Sequence, residues 1–262
     1  MDLQDRLAVI TGSASGIGRE TAIELARKGC TCVLVDIQQD RLAEVLEEVR
    51  RHSPASTSEI CDIGDEIQVK RMAQTVNERY GGIDILVNNA GVMIVKLFHD
   101  MSEEEFHRQL GVNFYGALHL IRAVVPIMQS RGKGVIINVT SLGGRLVVPG
   151  TGAYAASKAA LHAFSESLHY EMKDKGIHVG IVVPGGTRTG IFEPSVSRLG
   201  DYYRDQSTMP PAKVARRIRE AIEKEHFTTF VPLSSRLLLG IHDAFTEFFS
   251  KMLLRRTRPY FK

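Results

Sequence analysis

The chain has 262 residues, of which 44% are hydrophobic, with 33 Lys and Arg against 30 Asp and Glu. That apolar share excludes a disordered or fibrous chain, and a net charge of +3 excludes the strong positive field of a nucleic-acid binder. No linker-like shift in composition divides the sequence, so residues 1–262 read as a single domain.

Strand candidates rich in β-branched residues alternate with longer helical patterns. The strands are Leu7–Thr11, Cys32–Asp36, Thr57–Cys61, Ile83–Asn88, Gly134–Ser141, His178–Pro184 and Thr228–Val231. Several are apolar throughout, as expected for strands covered on both faces. The helices are Gly16–Lys28, Gln39–Arg51, Glu66–Tyr80, Ser102–Gln129, Tyr154–Lys173 and Ala212–Lys224. Repeated βα alternation predicts an α/β fold with a doubly wound parallel sheet and helices on both faces. Pro126, inside one apolar helical run, is expected to kink or end that helix. Residues 186–211 hold several Gly, Pro and Ser and read as a substrate-binding loop with short helical turns.

The segment Thr11-Gly12-Ser13-Ala14-Ser15-Gly16-Ile17-Gly18 joins the first strand to the first helix. Glycines there let backbone N–H groups approach a pyrophosphate, and the helix N-terminus adds partial positive charge. A plain βα turn is the blander reading, but the position favours a nucleotide. Asp36 ends the second strand, 18 residues past Gly18, where a carboxylate accepts hydrogen bonds from ribose hydroxyls and repels a 2′-phosphate. Ser15 offers no cation for such a phosphate. NAD is therefore expected over NADP.

Tyr154 and Lys158 lie four residues apart on a predicted helix and share one face. A neighbouring ammonium, together with a positive nicotinamide ring, favours the phenolate and makes Tyr154 a usable acid/base. Ser141 closes the strand Gly134–Ser141, at the edge where open α/β sheets bind ligands. The three cysteines (Cys30, Cys32 and Cys61) have no second pair to complete a zinc site, so free buried thiols and no metal are expected.

Candidate substrate walls are Val92–Val95, Leu142–Val148 and the loop holding Ile191, Phe192, Tyr202 and Tyr203, with Met93, Gly143, Val148 and Phe192 foremost. Their apolar character suits a steroid, retinoid or fatty-chain alcohol. Residues 234–262 form an amphipathic, basic extension. Leu238, Ile241, Phe245, Phe248 and Met252 fall on one face of a single helix expected over Ser234–Leu254, and Lys251, Arg255, Arg256, Arg258 and Lys262 follow. The other 250 residues carry 28 basic and 30 acidic side chains. The extension is expected to pack on its own domain or a partner subunit, with an anionic membrane surface as the alternative. The start lacks a signal-peptide pattern, and no run reaches the roughly 18 apolar residues of a membrane span, which points to a cytoplasmic setting, peripheral at a membrane if the extension binds one.

The TGxxxGIG run at 11–18, Asn88-Asn89-Ala90-Gly91, Asn113, Ser141, Tyr154-x-x-x-Lys158 and Pro184-Gly185 occur in this order at compatible spacings. The set closely resembles the classical short-chain dehydrogenase/reductase family, over about Leu7 to Thr189. The resemblance implies a Rossmann fold with strand order 3-2-1-4-5-6-7. It implies that Tyr154 is the general acid/base, that Ser141 holds the reacting oxygen, and that Lys158 contacts the nicotinamide ribose and lowers the Tyr154 pKa. Asn113 would support a proton-relay water. Gly12, Ser15, Gly16, Ile17, Gly18 and Asp36 would hold the dinucleotide, as would Tyr154 and Lys158. Asp62 and Ile63 would meet the adenine, Asn89 and Gly91 would line the cleft, and Pro184, Gly185, Thr187 and Thr189 would reach the nicotinamide end. A homodimer or homotetramer is implied, built on the helices Ser102–Gln129 and Tyr154–Lys173. The activity expected is NAD-dependent interconversion of a lipophilic secondary alcohol and a ketone, leaning towards oxidation. The alternatives are an NADPH-type carbonyl or 3-oxoacyl reductase, and a non-catalytic dinucleotide-sensing protein on the same fold.

Overall fold

The computed structural model describes residues 1–191 and 198–260. Strands β1 (Leu7–Thr11), β2 (Thr31–Asp36), β3 (Thr57–Ile60), β4 (Ile85–Asn88), β5 (Gly134–Val139), β6 (Ile177–Pro184) and β7 (Thr228–Val231) form one parallel sheet. Its order is β3-β2-β1-β4-β5-β6-β7, as the resemblance implied. The central strands β1, β4 and β5 are buried along their whole length, which is why their sequences are apolar without alternation.

Helices cover both faces. One apolar layer joins Ile10, Leu34, Ile137 and Val182 to Leu25 of α1 (Gly16–Ala26), Leu42 of α2 (Gln39–Arg50) and Ile218 of α8 (Pro211–Lys224). The other joins Val9, Leu86 and Ile136 to Val69 of α3 (Glu66–Tyr80), Leu120 of α5 (Gly116–Ser130) and Leu168 of α6 (Gly152–Met172). At roughly 25 cal/mol per Å² of apolar surface removed from water, these two layers are the main source of stability.

The helix expected over Ser102–Gln129 is interrupted. It divides into α4 (Glu103–Leu110), a π-helical turn at Gly111–Tyr115, and α5. Its start is fixed by a capping box in which the Ser102 hydroxyl accepts from the Glu105 N–H and the Glu105 carboxylate accepts from the Ser102 N–H. Pro126 does not end α5, which runs on to Ser130. Arg122, whose carbonyl Pro126 cannot bond, lies with it on the exposed side of α5, where solvent can take the place of the missing N–H. The run Glu103–Ser130 is long and apolar enough by composition to cross a membrane, which the sequence reading did not anticipate. In this fold it turns Leu120, Val124 and Met128 into the core.

Within the expected loop 186–211 the chain forms a helix, α7 (Arg198–Gln206). The extension is two helices and not one: α9 (Ser234–Ala244) and α10 (Thr246–Thr257) meet at Phe245, whose backbone (φ −128°, ψ 40°) leaves the helical region. Gly240 lies within α9 and does not interrupt it. All three cysteines are free and buried.

Candidate active site

A cavity of about 970 Å³ opens at the carboxyl ends of the strands, along the line where the order turns from β1 to β4. Its dinucleotide end begins at the loop after β1. Gly12 adopts a left-handed φ of +69°, and a Cβ there would lie 2.8 Å from the Asn89 amide and 2.9 Å from Ala90 Cα, so only glycine fits. The loop is braced from β4. Asn89 Nδ2 donates to the Thr11 carbonyl at 2.9 Å, while the Asn89 and Ala90 N–H groups donate to Thr11 Oγ1 at 3.0 and 3.1 Å. Gly12, Ser15, Gly16, Ile17, Asn89 and Gly91 all border the cavity. Gly18 does not. It packs α1 on the loop, and a Cβ there would lie 2.1 Å from the Gly12 carbonyl oxygen.

Asp36 faces the same end. Its carboxylate accepts from the Ala14 N–H and the Gln38 N–H, each at 3.0 Å, which fixes its orientation and leaves further lone pairs directed to the cavity rim. Asp62 and Ile63 border the cavity, with Asp62 turned back to accept from the Gly64 N–H at 2.8 Å. Ile37, 62% exposed just after β2, also lines this compartment. Sequence reading missed it. An apolar side chain directly after the ribose-facing acid was the available signal.

At the other end, α6 brings Tyr154 and Lys158 together on its buried face, and Ser141 stands beyond β5. Tyr154 is 7% exposed and Lys158 3%. Burial pushes the Tyr154 phenol up, against the hydrogen bond it makes with Ser141. Burial also lowers the Lys158 ammonium to about 8, while Nζ donates to the Val139 carbonyl at 2.9 Å. In the chain by itself, then, the phenol holds its proton near neutral pH. Ser141 Oγ accepts from the Gly143 N–H at 3.0 Å, which sets its rotamer.

Asn113, on the π-helical turn, does not border the cavity. Its Oδ1 accepts from the Val92 N–H at 2.8 Å, and its Nδ2 donates to the Val92 carbonyl and to Ser157 Oγ, both at 2.9 Å. It ties the loop after β4 to α6. A Cβ on Gly91 would approach Asn113 Oδ1 at 3.1 Å and Lys158 Nζ at 3.5 Å, which places the two polar groups around the same small space.

Pro184, Gly185, Thr187 and Thr189 line the cavity beside β6, and Thr187 Oγ1 donates to the Gly185 carbonyl at 2.9 Å. The Met93 N–H donates to the Ile191 carbonyl at 3.1 Å, closing the loop after β6 over the loop after β4. The cavity beyond Ser141 and Tyr154 is walled by Met93, Leu142, Gly143, Leu146, Val148, Ile191 and Tyr203. Ile94 and Val95 enter the core instead, and Tyr202 turns away to meet Tyr260, with ring centroids 4.9 Å apart. Phe192 lies outside the described residues. Thr151 and Gln206 complete the wall and were not singled out in the sequence, because neither follows a periodic or motif signal. Among the described residues no group of His, Cys, Asp and Glu is arranged to hold a metal ion.

The profile of the short chain dehydrogenase family matches residues 6–199. The chain belongs to this family. A 3-oxoacyl-[acyl-carrier-protein] reductase of Thermotoga maritima is 34% identical over 193 residues, covering 74% of this chain and 78% of that protein. A short-chain dehydrogenase/reductase from Burkholderia phymatum, solved in complex with NAD, superposes with a TM-score of 0.87 at 26% identity, covering 95% of this chain and 96% of the other. An alcohol dehydrogenase from the archaeon Thermococcus sibiricus, complexed with 5-hydroxy-NADP, gives a TM-score of 0.75 at 26% identity, covering 87% and 95%. This member of the family is thus an oxidoreductase with a site for a nicotinamide dinucleotide. The residues fit that group: a glycine cradle with no room for side chains, an oriented carboxylate, and apolar lining from Ile37 and Ile63.

Proposed function

We propose that the protein oxidises a lipophilic secondary alcohol to a ketone with NAD. The observation that carries the reading is the convergence of Ser141, Tyr154 and Lys158 on one buried stretch of the cavity, between the glycine cradle and an apolar wall. When bound, the dinucleotide supplies a hydride acceptor and a positive ring charge. Ser141 presents its hydroxyl to the substrate oxygen and holds it against Tyr154. Tyr154 exchanges the proton of that oxygen. The Lys158 ammonium would hold the nicotinamide ribose and favour the phenolate at the moment the proton moves. Asn113 keeps the Val92 loop and α6 at a fixed separation, so the distance between proton acceptor and substrate wall is set before binding.

Turnover of steroid and long-chain alcohols, followed by NADH absorbance, tests this. Tyr154→Phe is expected to lower turnover by roughly 10²–10⁴ without weakening dinucleotide binding. Turnover that survives the substitution removes Tyr154 from its role.

Asp36 supports NAD as the partner. Titration calorimetry is expected to show NAD binding at least about tenfold tighter than NADP, and Asp36→Ser to narrow or reverse that ratio. Equal binding by the unaltered chain overturns the preference. A second reading, reduction of an acyl-chain ketone, draws on the likeness to the Thermotoga reductase, and the same titration and an acyl-substrate assay separate the two. We propose a homodimer or homotetramer through the run 102–129, which holds α4, the π-helical turn and α5, together with α6. Tyr115 and Tyr170 stand exposed on those neighbouring segments, and Ala156 is open on α6.

A further inference from the structure

The C-terminal helices leave an apolar face uncovered. Leu233, Leu237, Ile241 and Phe245 recur every four residues and are all exposed, Phe245 to 62%. Phe248 continues the face at 66%, while its neighbour Phe249 folds back on His242 with ring centroids 5.5 Å apart, holding α10 against α9. Leu239 and Thr257 anchor the pair to the body. Exposed on the same two helices and the turn after them are the cations Arg236, Lys251, Arg255, Arg256 and Arg258, against two acids, Asp243 and Glu247. Asp243 is already engaged by Arg145 at 3.0 Å.

The same C-terminal segment touches two elements that wall the cavity. Arg145, bonded to α9 through Asp243, belongs to the loop after Ser141 that supplies Leu146 and Val148 to the substrate wall. At the other end Tyr260 stacks on Tyr202 of α7, whose neighbour Tyr203 lines the cavity and donates to the Pro149 carbonyl at 3.2 Å.

We propose that α9 and α10 form a docking surface for an anionic lipid bilayer, holding the mouth of the substrate cavity at the lipid surface. Apolar side chains and cations exposed on one segment match the acyl boundary and the anionic headgroups together. A second copy suits the face poorly, since a two-fold contact would bring two patches of the same net positive charge together. The reading rests on the lipophilic substrate proposed above for its purpose. Its test needs neither cofactor nor turnover, so the two stand or fall separately.

The experiment is flotation of the full chain with phosphatidylcholine vesicles, pure or with about one-third phosphatidylserine. The chain is expected to bind the anionic vesicles at least about tenfold better than the neutral ones. Phe245→Ser combined with Phe248→Ser, and separately Arg255→Gln with Arg256→Gln, should each weaken flotation by about tenfold. All four sites are exposed, so thermal unfolding and turnover of a short soluble alcohol should not change. Equal flotation of unaltered and substituted chains, or no preference for anionic vesicles, overturns the proposal. So does a fall in assembly size on sedimentation of the Phe variant, which would make a second copy the occupant.

Discussion

Lys158 is a cation enclosed with a single carbonyl partner, and burial lowers its ammonium to about 8. In the unfolded chain the same group holds its proton to about 10.4. Between those values the unfolded state binds more protons, so stability rises with pH across the window, by roughly 3 kcal/mol from this group. Tyr154, raised by burial, has the opposite sign and removes stability only above its ordinary value near 10. The three buried thiols, raised by burial, act in the opposite sense above about 8.5, so the lysine is read as a difference: in urea unfolding from about pH 7 to about pH 9.5 the unaltered chain should gain stability relative to Lys158→Met. Parallel profiles would show that the lysine is not strained by burial. The identities of Ser141, Tyr154, Lys158 and Asp36 were legible in the sequence because each has a fixed spacing to a strand end or a helical turn. The direction of the lysine shift was not legible, because it depends on how completely α6 is covered.

Gly18 shows what an element demands of one residue. In the sequence it reads as part of the phosphate loop, yet its role in this fold is to let α1 approach the Gly12 carbonyl. Gly18→Ala should force α1 away from β1 and cost about 1–3 kcal/mol or more, since the obstructing atom is backbone and cannot rotate aside. Thermal unfolding measures this, and an unchanged midpoint would contradict the close approach. The π-helical turn at Gly111–Tyr115 was not legible, because its cause is the pull of Asn113 towards Val92 and Ser157, a contact between segments far apart in the chain. How far α5 runs past Pro126 was not legible for a related reason. The penalty of the proline depends on whether the orphaned carbonyl meets solvent, and helical periodicity alone does not weigh that. The break at Phe245 likewise follows from Phe249 packing on His242, which a continuous apolar stripe does not reveal.

At the scale of the molecule, strand order was legible because alternating β and α segments leave few ways to build a parallel sheet, and the family motifs choose among them. The β1–β4 ladder joins the two halves of that sheet and pairs three residues, Ala8 with Ile85, Val9 with Leu86 and Ile10 with Val87, whereas β5 and β6 pair over six. Side chains secure both ends of the short ladder. Asp84 Oδ2 accepts from the Leu7 N–H at 3.0 Å at one end, and Thr11 and Asn89 interlock at the other. The weakest run of main-chain pairing therefore lies directly beneath the cleft. Any transient parting of the two halves would widen that cleft, and a molecule lying across it would act as a clasp. Amide hydrogens of Val9 and Val87, which belong to the β1–β4 ladder, should exchange faster than those of Gly180 and Val182 in the β5–β6 ladder, and saturating NAD should slow the first pair by more than the second. Equal slowing of both pairs would mean that the halves never part independently.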